Sequence, residues 1–251
     1  METIEKKPAP PRYTIQPAEE RATFDHGWLQ TSHSFSFAEY FDPANLSWGA
    51  LRVFNDDVVA PGTGFGTHPH RDMEILTYVL EGELEHRDSL GNVGVVRAGG
   101  VQYLSAGTGL SHSEKNHSEQ HPLHFVQMWV MPRAQQLEPR YGQVDFTQAD
   151  RQNAWLTIAS GRENTAAPIN IWQDATAYVA RLDDGRLEKT IEADRFAFLF
   201  VASGNVTFDG KQSLEAGDGI RIKGPFEIDV EGTGELVLWD TPSLEASIAK
   251  G

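Results

Sequence analysis

Three histidines and two glutamates have the residue types and the spacing of a site that binds a transition metal ion. His68 and His70 lie two residues apart after a glycine-rich segment, and His112 and Glu114 repeat that spacing after a second one. In a β-strand, residues two apart point to the same face, so each pair can reach a single ion. Glu74 has the same parity as the first pair. The spacing therefore leaves two candidates, Glu74 and Glu114, for the carboxylate.

This set of ligands predicts a reactive metal ion rather than a structural one. Three imidazoles and one carboxylate fill four positions, so an octahedral ion keeps two for water, dioxygen or a chelating substrate. The sequence has no cysteine, which excludes thiolate ligands and disulfides. We expect one divalent transition metal, with Fe(II) as the first candidate. Mn, Co, Ni, Cu and Zn accept the same ligands, because affinity order alone does not select among them.

The elements that must position these side chains are predicted to be short β-strands. Runs rich in β-branched and aromatic residues alternate with clusters of Gly, Asn and Asp, as at 74–80, 94–97, 124–131 and 196–201. Helical periodicity is scarce, and one short helix is expected at 147–153. The pattern favours an all-β sandwich or barrel.

Two parts of the chain share one pattern, which indicates a duplicated β-unit. The apolar run 74–82 leads to a glycine-rich corner at 98–100, and the run 195–204 leads to another at 216–219. All nine histidines lie between His26 and His124, so only the first copy can bind metal through imidazole. We expect an N-terminal domain of residues 1–136 that carries the metal and a C-terminal domain of residues 137–251 without one.

The composition excludes several classes of partner. The formal net charge of −15 and the pI near 4.9 repel a phosphate backbone, so direct binding of nucleic acid is not expected. No apolar run approaches the roughly 20 residues that a membrane span needs. Residues 1–11 lack the apolar block of a signal peptide, and we therefore expect a cytoplasmic protein.

The other histidines and a group of aromatic residues receive no site role from the sequence. His86 is predicted to be a hydrogen-bonded residue of the barrel wall, and His26 and His33 to serve the core or an interface. His124 begins an apolar strand and is left unassigned. The remaining residues are two histidines expected in solvent and five aromatic residues that could form a pocket wall for a planar ligand but are expected in the core: His117, His121, Phe35, Phe37, Tyr40, Phe41 and Trp48.

The two metal-binding segments resemble the motifs of the cupin superfamily, at 62–82 and 107–116. A longer resemblance, to the pirin family, covers residues 25–141 densely and continues weakly to the C-terminus. It is carried by the segments Asp25–Trp28, His33–Phe37, Leu51–Asp57, Gly66–His70, Glu74–Tyr78, Ser105–Gly109 and His112–Glu114.

This resemblance implies a bicupin fold, in which two double-stranded β-helix barrels of jelly-roll type pack together and only the N-terminal barrel binds metal. It implies the ligands His68, His70, His112 and Glu114, and it leaves Glu74 a supporting role beside the site or in folding.

The resemblance also implies a function. It suggests a metal-dependent dioxygenase that opens the ring of flavonols such as quercetin, with the flavonol and dioxygen as substrates and Glu114 as the catalytic base. The alternative is a metal-dependent regulatory protein without enzymatic activity, which acts through a protein partner.

Overall fold

The computed structural model describes residues 12–248, which are almost entirely β-structure. Two 3-10 helices lie at Ala18–Glu20 and Ala149–Arg151, and one α-helix, α1, lies at Leu244–Ile248. No helix within residues 12–248 is long and apolar enough to cross a membrane. The strands are β1 (Tyr13–Gln16), β2 (Ala22–Asp25), β3 (Leu29–His33), β4 (Leu51–Val59), β5 (Gly64–His70), β6 (Glu74–Glu81), β7 (Glu83–Asp88), β8 (Val93–Arg97), β9 (Val101–Ser105), β10 (Leu110–Asn116), β11 (Leu123–Val130), β12 (Arg140–Val144), β13 (Leu156–Ser160), β14 (Ile169–Asn170), β15 (Thr176–Ile191), β16 (Arg195–Phe208), β17 (Gln212–Glu215), β18 (Gly219–Lys223) and β19 (Phe226–Pro242).

The N-terminal barrel consists of two sheets that face each other. A seven-stranded sheet has the order β12-β9-β6-β11-β4-β3-β2, and a four-stranded sheet has the order β5-β10-β7-β8. A small apolar cluster joins them, made of Leu29, Val59, Val79, Leu84, Val96, Leu123 and Phe125. This cluster takes up only part of the space between the sheets, so polar side chains also face inward.

The C-terminal barrel is an eight-stranded sheet with the order β1-β18-β16-β19-β15-β13-β14, in which β17 pairs with β16. Its long strands shift register, between Leu182 and Gly185 in β15 and between Val201 and Ser203 in β16. Such irregularities bend a strand and let one sheet fold around a core. Fifteen buried hydrophobic residues fill that core, among them Phe208 and Leu238. The all-β fold with two barrels confirms the expected architecture.

The largest apolar cluster lies between the two barrels. It joins residues of the seven-stranded sheet, such as Phe54 and Tyr78, to residues of the C-terminal sheet, such as Phe198 and Trp239. The Phe54 and Phe198 rings meet edge to face, with centroids 5.0 Å apart. The outer face of the seven-stranded sheet therefore packs against the C-terminal barrel. Its inner face points to the interior of the N-terminal barrel.

The duplicated β-unit is visible in the hydrogen bonds as well as in the sequence. The Gly99 backbone N–H donates to the Val79 carbonyl at 2.8 Å, and Gly217 donates to Val201 at the same distance. Both glycines have positive φ values, 88° and 95°, which side-chain-bearing residues adopt with strain. The same corner is therefore built twice, once in each barrel.

The sheets exchange strands across residue 136. β1 lies in the C-terminal sheet, where Tyr13 pairs with Ile222, and β12 lies in the N-terminal sheet, where Tyr141 pairs with Leu104. The division into 1–136 and 137–251 stays a proposal about domains, since the sheets do not separate there. The segment 1–11, on which the expected location in the cytoplasm depends, lies outside the described residues.

Two local predictions were wrong. The helix expected at 147–153 is only a three-residue 3-10 turn, because the backbone is already extended at Gln152, with a ψ of 120°, and Asn153 has a positive φ of 48°. Phe41, expected in the core, is 74% exposed, because it lies in the loop between β3 and β4 rather than on a strand.

The exchange of β1 can be tested through Tyr13. Its ring packs against Phe208 and Phe226, with centroids 5.1 and 5.6 Å away. We expect Tyr13→Ala to lower the free energy of unfolding by about 1–3 kcal/mol, because half-buried aromatic surface is lost from the C-terminal barrel. Thermal or urea unfolding measures this loss. Thr14→Ala, on the exposed face of β1, is the control, and equal stability of the two variants would contradict the exchange.

Candidate metal centre

The structure brings His68, His70 and His112 together through the pairing of β5 with β10. His112 lies opposite His68, and Leu110 lies opposite His70. The three imidazole rings have centroids 4.5–4.8 Å apart, and one nitrogen from each lies within 4.8 Å of the others. Three imidazoles that converge in this way could hold one metal ion.

Glu114 extends the cluster deeper into the barrel. A register shift between His112 and Glu114 places Glu114 opposite Phe65, and its side chain groups with His112 and His86 within 4.8 Å. The carboxylate is 1% exposed. It accepts hydrogen bonds from Gln127 Nε2 at 2.8 Å and from Gln102 Nε2.

No lysine or arginine among residues 12–248 forms an ion pair with Glu114. Burial raises the pKa of Glu114, because an ionised carboxylate is costly to remove from water. A bound cation would offset that cost, and a carboxylate is a ligand that divalent transition metals accept. This donor set therefore fits a metal ion.

His70 and His112 are in the protonation state that a metal requires. Burial, together with the neighbouring imidazoles, lowers the pKa of each to about 3. Both rings are neutral at neutral pH, with a lone pair free to bind a cation. His112 Nε2 is buried and has no hydrogen-bond partner within residues 12–248. A metal ion at the centre of the three rings would satisfy this atom.

A series of hydrogen bonds links His112 to His86 and His86 to Asp88. His112 Nδ1 lies 3.4 Å from His86 Nδ1, and His86 Nε2 lies 3.3 Å from Asp88 Oδ2. The His86 ring also stacks on Tyr141, with centroids 4.2 Å apart. Because Asp88 accepts from Nε2 of His86, Nδ1 of His86 is left to accept from His112. Nδ1 of His112 then carries the proton and Nε2 is free for the metal.

Glu74, the alternative carboxylate, lies outside this cluster. Its oxygens accept hydrogen bonds from the backbone N–H groups of Trp172 (2.7 Å) and Gln173 (2.9 Å) and from the Tyr103 hydroxyl (2.6 Å). Parity with His70 fails because residues 71–73 form a turn, with a φ of 46° at Asp72, that carries the chain to the other sheet. Glu74 therefore connects the N-terminal barrel by hydrogen bonds to the segment that leads into the C-terminal sheet.

A cavity of about 260 Å³ opens onto the cluster. His68, His70 and Glu114 form part of its wall. The aromatic residues Phe37, Phe65 and Trp129 form another part, and the Trp129 ring meets Phe37 edge to face at 5.3 Å. Phe37 was expected in the core, and its position in this wall matches the alternative that the sequence left open for it.

The opposite wall of the cavity is polar and comes from β3 and β4. Thr31 pairs with Asp57, and His33 pairs with Asn55, so all four side chains share the inner face of the sheet. Burial raises the pKa of Asp57 to about 7, against a hydrogen bond from Thr31, and the charges of Asp56 and Glu114 add to the rise. Polar residues at alternate positions of two neighbouring strands are the signal in the sequence from which this wall could have been predicted.

The other histidines lie away from the ligand cluster. His117 and His121 are exposed, as expected. His124 faces the outside of the barrel, where Nε2 lies 2.6 Å from Asp56 Oδ1. His26 and His33, assigned to the core or an interface, instead line the cavity.

Comparison with known proteins agrees with this architecture. Residues 15–130 match the family model "Pirin", and residues 157–240 match "Quercetinase C-terminal cupin domain". A protein of Escherichia coli O157:H7 named quercetin 2,3-dioxygenase is 43% identical over 232 residues, which are 92% of this chain and 99% of that protein. A pirin-like protein of Caulobacter vibrioides is 43% identical over 219 residues, 86% of this chain and 94% of that protein.

Solved structures extend the comparison. The bacterial pirin YhhW from Escherichia coli in complex with nickel(II) superposes with a TM-score of 0.85 at 41% identity, covering 92% of this chain and 99% of that one. A quercetin 2,3-dioxygenase from Acinetobacter baumannii has a TM-score of 0.75 at 18% identity, covering 93% and 80%, and shares the fold alone. The nickel complex and the His/Glu cluster together support metal binding by this chain.

Glu74→Gln separates the two roles considered for Glu74. The amide NH₂ group would face one of the N–H or O–H donors that now bind the carboxylate. We therefore expect the free energy of unfolding to fall by about 1–3 kcal/mol. Metal content, measured by elemental analysis of the purified protein, should not change. Normal stability with lost metal would instead make Glu74 a ligand.

The role of the hydrogen bonds from His86 to His112 and Asp88 can be tested with His86→Phe. This variant keeps a ring to stack on Tyr141 but removes both hydrogen bonds. We expect the metal dissociation constant to rise roughly 10- to 100-fold, as found when partners of metal-bound histidines are lost. Competition with a chelator measures it. The matched control is His121→Phe at the exposed loop, and equal affinities in the two variants would exclude the supporting role.

Proposed function

Since the chain belongs to the pirin family, we propose that it is a metal-dependent dioxygenase that opens the ring of flavonols such as quercetin. The observation that carries this proposal is the cavity beside the histidine cluster. A purely structural metal is enclosed by its ligands. Here three of the candidate ligands, His68, His70 and Glu114, also line a cavity with aromatic walls.

The proposed ligands are His68, His70, His112 and Glu114, and the proposed metal is one divalent ion, with Fe(II) first and Mn, Co, Ni, Cu or Zn as alternatives. The relatives named quercetin 2,3-dioxygenase support the reaction class. When bound, the ion supplies a Lewis acid that lowers the pKa of a coordinated hydroxyl and a centre for dioxygen chemistry.

Glu114 is the proposed base. It would take the proton of the flavonol 3-hydroxyl group, which must come within hydrogen-bond reach of one of its oxygens. Gln102 and Thr77 donate to Oε1 of the carboxylate and Gln127 donates to Oε2, so the group is held in one orientation while Oε2 keeps a lone pair.

The cavity walls would orient the substrate and exclude water. Phe37, Phe65 and Trp129 offer flat apolar surfaces that suit an aromatic ring system. The volume of about 260 Å³ lies near the lower end of small-molecule sites and admits one planar ligand rather than a large one.

The test is oxygen consumption. Protein loaded with each divalent metal in turn, and then mixed with quercetin, should take up dioxygen at a rate that the metal-free protein does not reach. If no metal gives uptake with any of several flavonols, while removal of metal changes the capture of a protein partner, the regulatory hypothesis replaces this one.

Glu114→Gln tests the base. The amide keeps the size and the hydrogen-bonding oxygen of the side chain but accepts a proton poorly, so we expect oxygen uptake to fall roughly 10²- to 10⁴-fold while much of the metal remains. Glu85→Gln, on the barrel surface, is the matched control and should retain full uptake. Undiminished turnover by Glu114→Gln would remove Glu114 from this role.

A further inference from the structure

Three buried polar atoms on one wall of the cavity have no partner in the protein. Asn55 Oδ1, Asp57 Oδ1 and His33 Nδ1 are each without a hydrogen bond to any of residues 12–248. The three side chains are 2%, 2% and 3% exposed, and all of them line the cavity. They belong to the neighbouring strands β3 and β4, where His33 lies directly opposite Asn55.

Such atoms are rare in folded proteins, because a buried polar group without a partner loses the hydrogen bonds that it made to water. One such atom is an isolated defect, whereas three on the same wall of one cavity have a common cause. The wall is shaped for something that enters the cavity and satisfies all three.

The outer face of the same strand shows the contrast. Asp56, the neighbour of Asp57 in sequence, points away from the cavity and is fully paired, with Arg21 at 3.0 Å and His124 at 2.6 Å. The chain therefore provides Arg21 and His124 as partners for the aspartate on the outer face, whereas no ion-pair partner among residues 12–248 reaches the aspartate that faces the cavity. A role for Asp57 in stability alone does not explain this difference.

The unpartnered atoms define the ligand by its chemistry. The Asn55 and Asp57 oxygens accept hydrogen bonds, and burial lowers the pKa of His33 to about 4, so its neutral ring can present Nδ1 as an acceptor. The wall therefore calls for hydrogen-bond donors, held on a flat apolar body that fits between Phe37, Phe65 and Trp129. Phenolic hydroxyl groups on an aromatic ring have these properties.

We propose that His33, Asn55 and Asp57 form a subsite that binds phenolic hydroxyl groups of a planar aromatic substrate, other than the hydroxyl group that reaches the metal ligands. This inference rests on the proposed function and adds to it the part of the substrate that is selected. A substrate with several hydroxyl groups is preferred over an analogue that carries only the group needed at the metal.

The experiment measures binding rather than turnover. Protein loaded with Zn²⁺, which has no redox chemistry, is titrated with quercetin and with 3-hydroxyflavone, which lacks the additional hydroxyl groups. Quenching of tryptophan fluorescence gives the two dissociation constants, and their ratio is the selectivity. The variants are Asp57→Ala, which cannot block the cavity, Asp57→Asn, which keeps one accepting oxygen, and Asp56→Ala as the matched control on the outer face.

We expect the wild-type protein and Asp56→Ala to prefer quercetin by roughly tenfold or more, the size of effect that one or two hydrogen bonds produce. In Asp57→Ala the preference should fall close to unity while binding of 3-hydroxyflavone is retained, and Asp57→Asn should be intermediate. The melting temperature should fall in Asp56→Ala, which loses the contacts with Arg21 and His124, and change less in Asp57→Ala, because the buried Oδ1 atom of Asp57 has no partner to lose.

The proposal is overturned if the wild-type protein shows no preference for quercetin, if Asp57→Ala keeps the wild-type ratio, or if Asp57→Ala weakens both ligands equally. Its failure is distinct from failure of the proposed function. Wild-type selectivity that depends on Asp57, in a protein that takes up no oxygen with any metal, would keep the subsite and remove the dioxygenase. If the protein takes up oxygen but Asp57→Ala leaves the preference for quercetin unchanged, the dioxygenase is kept and the subsite is removed.

Discussion

The burial of the Glu114 carboxylate between two sheets is the constraint around which the N-terminal barrel is organised. A charge in that position needs either a cation or a complete set of donors, and the barrel provides amide donors from Gln102 and Gln127 on the seven-stranded sheet. Both glutamines occupy inward positions where a sheet normally places apolar residues. The polar centre thus displaces the apolar core, which is confined to a smaller cluster at the side of the barrel.

The C-terminal barrel has the same type of fold but an apolar interior in place of the polar centre around Glu114. Its glycine corner repeats the one in the first barrel, hydrogen bond for hydrogen bond, yet its interior is filled by residues such as Leu199, Phe208 and Ile220. The packed interior makes it a rigid support. The seven-stranded sheet, whose inner face carries the cavity, rests on the C-terminal barrel through a large apolar interface, and Glu74 bonds across that interface to the backbone at Trp172.

The local parts of this arrangement could be predicted from the sequence, and the parts that depend on distant pairing could not. The co-facial pairs at His68 and His112 follow from alternation within one strand, and the histidine-free second half indicated a single polar barrel. Alternation wrongly allowed Glu74 to share a face with His68 and His70. The turn at 71–73 interrupts the strand and takes the chain to another sheet, so the alternation does not continue across it. The wall around Asp57 needs the register between β3 and β4, which local patterns do not specify. Loop residues such as Phe41 follow no alternation at all.

The exchange of β1 has a consequence for how the chain folds. The strand at 13–16 pairs with the strand at 219–223, and the whole N-terminal barrel lies between them in the sequence. The edge of the C-terminal sheet is therefore completed only when a segment that precedes the first barrel meets a strand that follows it. The entropy lost in closing a loop rises with its length, so a pairing between segments this far apart is expected to form slowly.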